Sequence, residues 1–165
     1  MTFSVYTKIA SITVTGSATS AIEFTSIPAT YTDLVIKFST RLSVADIDNV
    51  ITLNTSVTKS AGKRVYGNGT NQASDTAVGG GLSNSSGYTA STFASTEYYF
   101  PNYTGTTNKT VSIDAVNENN STQSYQVISA QSFTLGSAIT SIKLTPNSGN
   151  YDVNSTAVLY GILKA

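Results

Sequence analysis

The chain has 165 residues with nine basic and nine acidic side chains and a formal net charge of zero, the size of one ordinary domain. Only 11% of its residues are charged, less than half the usual share of about 25%, so solubility falls to 26 Thr, 24 Ser and 13 Asn, types that fill turns and solvent-facing strand positions. The absence of His and Cys excludes Ser-His-Asp and Cys-His nucleophiles, imidazole or thiolate zinc sites and disulfides, and without a Lys/Arg cluster nucleic acid is not an expected partner.

Period-2 alternation recurs from end to end, and no stretch repeats apolar residues at the helical spacing, so the chain reads as all-β. The first strand is expected at 8–15, with Ala10, Ile12 and Val14 on one face, and the second at 21–26, with Ile22 and Phe24 on one face. Pro28 ends that pairing because it has no N–H to donate. The clearest strand is 34–41, where Leu34, Ile36 and Phe38 alternate with Val35, Lys37 and Ser39. Shorter candidates follow at 50–54 and 63–67. Residues 67–90, dense in Gly, Asn and Ser, read as a long exposed loop. Strands resume at 93–100, 110–117, 125–133, 139–145 and 156–163, separated by turn residues such as Pro101-Asn102-Tyr103-Thr104-Gly105 and Pro146-Asn147-Ser148-Gly149.

With no helix to cover a parallel sheet, about eight to ten such strands predict an antiparallel, jelly-roll-like β-sandwich spanning 1–165, with a short N-terminal arm at about 1–7. The expected core includes Ile12, Val14, Phe24, Leu34, Ile36, Phe38, Val111, Ile113, Ile142, Leu144, Val158 and Ile162. Apolar runs stop at four or five residues, as in Ala157-Val158-Leu159-Tyr160, far short of the roughly 20 that span a bilayer. The N-terminus lacks a basic-then-apolar leader pattern, so the chain is expected to begin near Met1 and to be made in the cytoplasm, with no membrane partner.

Candidate chemistry is sparse. Glu97 and Asp114 fall on consecutive strands, where a glycosidase would need two carboxylates facing one cleft, but no Trp provides a sugar platform and they read as solvent-facing charges. Asp46-Ile47-Asp48-Asn49 has the alternating oxygen ligands of a calcium loop without its Gly and downstream Glu, and reads as turn chemistry. Gly67-Asn68-Gly69-Thr70 and Gly79-Gly80-Gly81 lack the Lys-Ser/Thr of a phosphate loop. Several Asn-x-Ser/Thr triplets, among them those at Asn54, Asn68, Asn84, Asn102, Asn108, Asn119 and Asn154, are what three abundant residue types produce by chance. No catalytic, metal or cofactor-binding residue is assigned. Tyr66, Tyr88, Tyr98, Tyr99, Tyr103 and Tyr151 fall at strand ends or in loops, where amphipathic rings suit either an interface or a sandwich cap.

Three stretches carry a resemblance: Phe24-Thr25-Ser26-Ile27-Pro28-Ala29-Thr30-Tyr31-Thr32-Asp33-Leu34-Val35-Ile36, then Phe100-Pro101-Asn102-Tyr103-Thr104-Gly105-Thr106-Thr107-Asn108-Lys109, then Ile139-Thr140-Ser141-Ile142-Lys143-Leu144 with Ser155-Thr156-Ala157-Val158-Leu159-Tyr160-Gly161-Ile162. Together they resemble small Ser/Thr-rich β-sandwich virion proteins of tailed bacteriophages, especially phages of aquatic bacteria. The motifs are scaffold motifs and indicate no active site. The resemblance implies a non-enzymatic capsid decoration (cement) protein on the virion surface that binds the phage major capsid protein and itself, as a homotrimer or a dimer. The alternative is a receptor- or glycan-binding module of a tail fibre or spike. Phe3 and Tyr6 in the N-terminal segment, and Tyr66, Asn68 and Tyr88 in or beside the 67–90 segment, are the candidate partner contacts, since flexible segments can order against a partner when an aromatic anchor offsets the entropy.

Overall fold

The alternating stretches form strands throughout the computed structural model, which describes residues 5–76, 79–118 and 124–163. In chain order they are β1 (Tyr6–Thr13), β2 (Ile22–Phe24), β3 (Asp33–Thr40), β4 (Asn49–Leu53), β5 (Val57–Gly67), β6 (Gln72–Asp75), β7 (Ala94–Phe100), β8 (Lys109–Glu118), β9 (Ser124–Phe133), β10 (Ile142–Pro146) and β11 (Thr156–Ile162). Every ladder between them is antiparallel, and no helix occurs among the described residues. The chain is therefore all-β, as the periodicity predicts, with eleven strands.

Strand order is β1-β11-β3-β7-β8-β9-β5-β4-β10-β2, with β6 added on β5. The corner is β5. Its first residues, Val57 and Thr58, pair with Leu53 and Thr52 of β4, whereas Lys59 to Gly67 pair with β9 across a register shift between Lys59 and Ala61. A bulge of this kind bends a strand and lets it serve two sheets. The short sheet β4-β10-β2 thereby covers the inner face of the broad sheet. Ile51, Leu53, Ile142, Leu144, Ile22 and Phe24 from the short sheet join Leu34, Ile36, Phe38, Phe100, Ile113 and Phe133 from the broad one in a single core cluster. Phe38 lies between the rings of Tyr98 and Tyr151, edge-on to each at centroid distances of 5.7 and 5.4 Å, a geometry that adds to simple area burial.

Strand β3 has β11 on one side and β7 on the other, the central position its continuous apolar run implies. Even its outward-phase Val35 is fully buried, flanked across the ladders by Tyr99 and Tyr160.

Three expectations require correction. In β11 the buried phase is Ala157, Leu159 and Gly161, while Val158 and Ile162 are only half-buried. The cause is a close approach: a Cβ at Gly161 would run into the ring of Tyr31, so glycine faces inward and the larger residues take the outer phase. Ile12 is likewise half-buried, packed against the core from the edge strand β1. At the N-terminus, Tyr6 and Thr7 already pair with Ile162 and Gly161, so the last residues of the expected arm belong to the sheet.

The third correction concerns 67–90, which is not a long exposed loop. Residues 72–75 are β6, paired with Arg64 to Gly67, and 79–85 are all buried. Among the described residues of this segment, the hairpin tip, Thr76 and residues near 86–91 reach solvent as a loop would.

Candidate functional site

The strap 79–85 passes between the sheets and is held by polar side chains from both. On the short-sheet side, the Asn49 amide donates to Gly81 O at 3.3 Å and its Oδ1 accepts from Ser83 Oγ at 3.0 Å and from Tyr151 Oη at 2.9 Å. On the broad-sheet side, Thr96 Oγ1 donates to Leu82 O at 2.8 Å, Asn117 Nδ2 to Ser83 O at 3.2 Å and Gln131 Nε2 to Gly79 O at 2.7 Å. These side chains occupy inward positions that periodicity reserves for apolar residues. They do so because a buried main chain that pairs with the strands only at isolated bridges, Arg41 with Asn84 and Asp48 with Leu82, needs its remaining N–H and C=O groups satisfied.

Beyond the strap, Arg41 gathers the next loop. The Arg41 residue is 9% exposed. Its Nη1 donates to Thr89 O at 2.9 Å and Thr92 O at 3.5 Å, its Nη2 to Ser86 O at 2.9 Å and Tyr88 O at 3.3 Å, and its Nε faces Asp152 at 3.5 Å. The planar fork of donors is what lets one side chain collect four carbonyls.

The expected contact residues do not converge. Tyr88 sits on the loop held by Arg41, and burial beside Tyr125 pushes its phenol up. Tyr66 packs with Tyr125 against a second small cluster of Leu82, Ala115 and Val127, with the Arg64 guanidinium 5.2 Å above its ring. Asn68 shapes the β5–β6 hairpin, its Oδ1 accepting from Thr70 N at 3.1 Å and Asn71 N at 2.7 Å. These three belong to one end of the sandwich. Tyr6 belongs to the other end of edge strand β1, edge-on to Tyr160 at 6.1 Å. Phe3 lies outside the described residues.

Glu97 and Asp114 are direct cross-strand neighbours on the outer face. Glu97 is engaged by Lys37, whose ammonium is raised chiefly by that hydrogen bond. The Asp46 turn is likewise committed internally: its Oδ1 accepts from Ile47 N and Asp48 N, and its Oδ2 from Asn147 Nδ2 at 3.0 Å and Ser148 Oγ at 2.8 Å. Burial pushes the Asp46 carboxyl up, and the hydrogen bonds outweigh it and hold the group below its ordinary value. Asp48 is raised by burial, against the opposing pull of Arg64.

What sequence reasoning missed is a groove on the outer face along β5, β6 and β9. It has a volume of about 580 Å³ and is lined by Lys63, Val65, Ser74, Thr76, Ile128 and Ala130 among others, and a second hollow of about 420 Å³ shares Val65 and Ile128. Val65 and Ile128 are ladder partners, 58% and 53% exposed. A signal for them existed. Val127 and Ile128 are consecutive and Phe133 fixes the inner phase of β9, so Ile128 must point outward.

No family model, no curated protein and no solved structure matches the chain.

Proposed function

We propose that this chain is a non-enzymatic virion protein of a tailed bacteriophage, a capsid decoration protein that binds the major capsid shell and associates with itself. Virion origin rests on the resemblance of the three stretches quoted above. A binding role is supported by one observation of the surface: an apolar ladder pair, Val65 and Ile128, lies exposed in a shallow groove on a sheet face otherwise rich in hydroxyls. Such a patch, on a rigid strand pair, suits contact with another protein more than chemistry on a small molecule. Glu97 is committed to Lys37 in the hollow of about 200 Å³ that both share with Asp114, which leaves one carboxylate where a glycosidase needs two and favours the non-catalytic reading.

Copy number per particle, by gel densitometry of purified virions, tests this reading. Decoration requires stoichiometry with the shell, whereas a few copies per particle would indicate a tail fibre or spike module. Rebinding to particles lacking the protein then locates the contact. Val65→Asp with Ile128→Asp is expected to lower occupancy in a protein that still folds, because both side chains are already solvent-facing. Attachment should change little with salt, since the net charge is zero and few charges are available to screen. Product release from host capsule by the purified protein would overturn the non-enzymatic reading.

A further inference from the structure

Of the 13 asparagines in the chain, one, Asn68, is followed by glycine. That pairing matters because the backbone nitrogen of the next residue is the nucleophile that attacks an asparagine side-chain carbon, and a following Cβ hinders it. The site occupies the tip of the β5–β6 hairpin. Gly67 and Gln72 close the ladder, Asn68 N donates to Asn71 O at 3.1 Å, and Gly69 is exposed at φ +84°.

Two hydrogen bonds from the residues that follow it hold this asparagine's side chain over its own turn. Asn68 Oδ1 accepts from Asn71 N at 2.7 Å and from Thr70 N at 3.1 Å. The ring closed by the Thr70 bond contains both Asn68 Cγ and the intervening Gly69 nitrogen, the two atoms that would react. The same two N–H donors face the oxygen on which negative charge grows when nitrogen adds to the carbonyl, the logic of an oxyanion hole. Among the described residues neither Gly69 N nor Asn68 Nδ2 is tied to an acceptor. Five of the other asparagines are restrained: Asn49, Asn84 and Asn117 are buried, Ser155 N after Asn154 donates to Asp152 O at 3.1 Å, and Tyr151 N after Asn150 donates to Thr19 O at 2.8 Å.

We propose that Asn68 is a site of spontaneous deamidation, a modification written into the hairpin tip. The Gly69 nitrogen, losing its proton to solvent base, bonds to Asn68 Cγ, and the Cγ–Nδ2 bond breaks as ammonia leaves with a proton from water. The resulting five-membered imide takes up one water at either carbonyl and opens to aspartate or isoaspartate. The net change is one amide and one water converted to one carboxyl and one ammonia, with no oxidant or reductant. Because the unmodified chain has a formal charge of zero, each event shows as a resolved acidic species. Isoaspartate also inserts a methylene into the main chain between Gly67 and Gln72, beside the hollow that Tyr66, Gly69 and Gln72 line.

The test is incubation of the folded full-length protein at neutral and mildly alkaline pH, followed by isoelectric focusing, ammonia assay and peptide mapping. The expected result is an acidic species that accumulates faster at the higher pH, carries both aspartate and isoaspartate at position 68, and releases matching ammonia. Because alanine is strained at the positive φ of Gly69, the matched variant is Asn68→Asp, which keeps the Oδ1 acceptor that takes both turn hydrogen bonds and has no amide to lose. It should show no further acidic shift and no ammonia. An unchanged focusing pattern in the parent, a modification that maps to another asparagine, or undiminished ammonia from Asn68→Asp would overturn the proposal.

Discussion

At the strap end of the sandwich, the guanidinium of Arg41 bonds to the carbonyls of Ser86, Tyr88, Thr89 and Thr92. At the opposite end, the ammonium of Lys109 bonds to the carbonyls of Gly105, Thr107 and Leu135 at 2.6, 2.5 and 3.3 Å. Each is a buried cation that satisfies loop carbonyls which no strand reaches. The difference lies in the backing. Arg41 has Asp152 behind it, whereas no carboxylate pairs with Lys109 among the described residues, and burial lowers its pKa. At the Lys109 end the negative charge is spent elsewhere: Asp33 accepts from Asn102 N and from Tyr99 Oη, both at 2.7 Å, and the buried Tyr103 donates to Pro28 O. The lesson is that a carbonyl cage by itself can accommodate a buried ammonium on a short turn, while a longer loop needs the wider fork of arginine.

Alkaline pH should separate the two ends most strongly. Burial holds the phenols of Tyr98 and Tyr151, beneath the strap, far above the ordinary tyrosine value. A raised folded pKa means that the stability these groups confer is complete below about pH 10 and is lost as pH rises, because the unfolded chain ionises first. Each phenol then removes about 1.4 kcal/mol per pH unit, or roughly 5 kcal/mol for the pair by about pH 12. Urea unfolding across that range should show the fall, and Tyr98→Phe or Tyr151→Phe should each lessen its slope. A flat profile would break the comparison.

Arg41→Met should cost about 3–4 kcal/mol, since it removes the guanidinium donors from the carbonyls of Ser86, Tyr88 and Thr92, leaves Thr89 O only its bonds from Thr92, and unpairs Asp152. Its mark would be accelerated amide exchange confined at first to 86–92. Arg41→Lys should recover less than half of the loss, because an ammonium cannot span the cage. Lys109→Met should cost about 2–3 kcal/mol, with exchange rising in 101–108. Equal losses at both ends, or exchange spread evenly over the molecule, would show that the cations do not act locally.

The smallest effect has the opposite sign. Tyr98 Oη is buried with no hydrogen-bond partner, whereas Tyr151 Oη donates to Asn49. Near neutral pH, Tyr98→Phe should therefore raise stability by up to about 1 kcal/mol while Tyr151→Phe lowers it by about 1 kcal/mol, a difference that calorimetry on the two variants would read directly.

The two ends also differ in how legible they were. The turn after β7 was readable as Pro101-Asn102-Tyr103-Thr104-Gly105, and Asn102 does take the positive φ, 47°, that turns favour in asparagine. The strap was not readable. Gly79-Gly80-Gly81-Leu82-Ser83-Asn84 has the composition of a solvated loop, and its burial depends on Asn49, Thr96, Asn117 and Gln131, which come from four different strands. Of the tyrosines expected at strand ends or in loops, Tyr66 lies near the end of β5 and Tyr88 in a loop, whereas Tyr98 and Tyr99 lie within β7 and Tyr98 is fully buried. The exposed Val65–Ile128 pair depends on β5 and β9 lying side by side in one register, which the pattern of neither strand carries by itself.

From the sequence alone came the class, the strand phases of β3, β8 and β10, and the centrality of β3, because alternation is a local property and burial enforces it over five or more consecutive residues. Tertiary structure decided what local pattern cannot carry: that β5 turns the corner between sheets, that Tyr31 displaces the inward phase of β11 onto Gly161, and that a Gly/Ser/Asn segment becomes the polar filling of one end. Each depends on which distant residue supplies a donor or leaves a space, and that is fixed only when the strands have assembled.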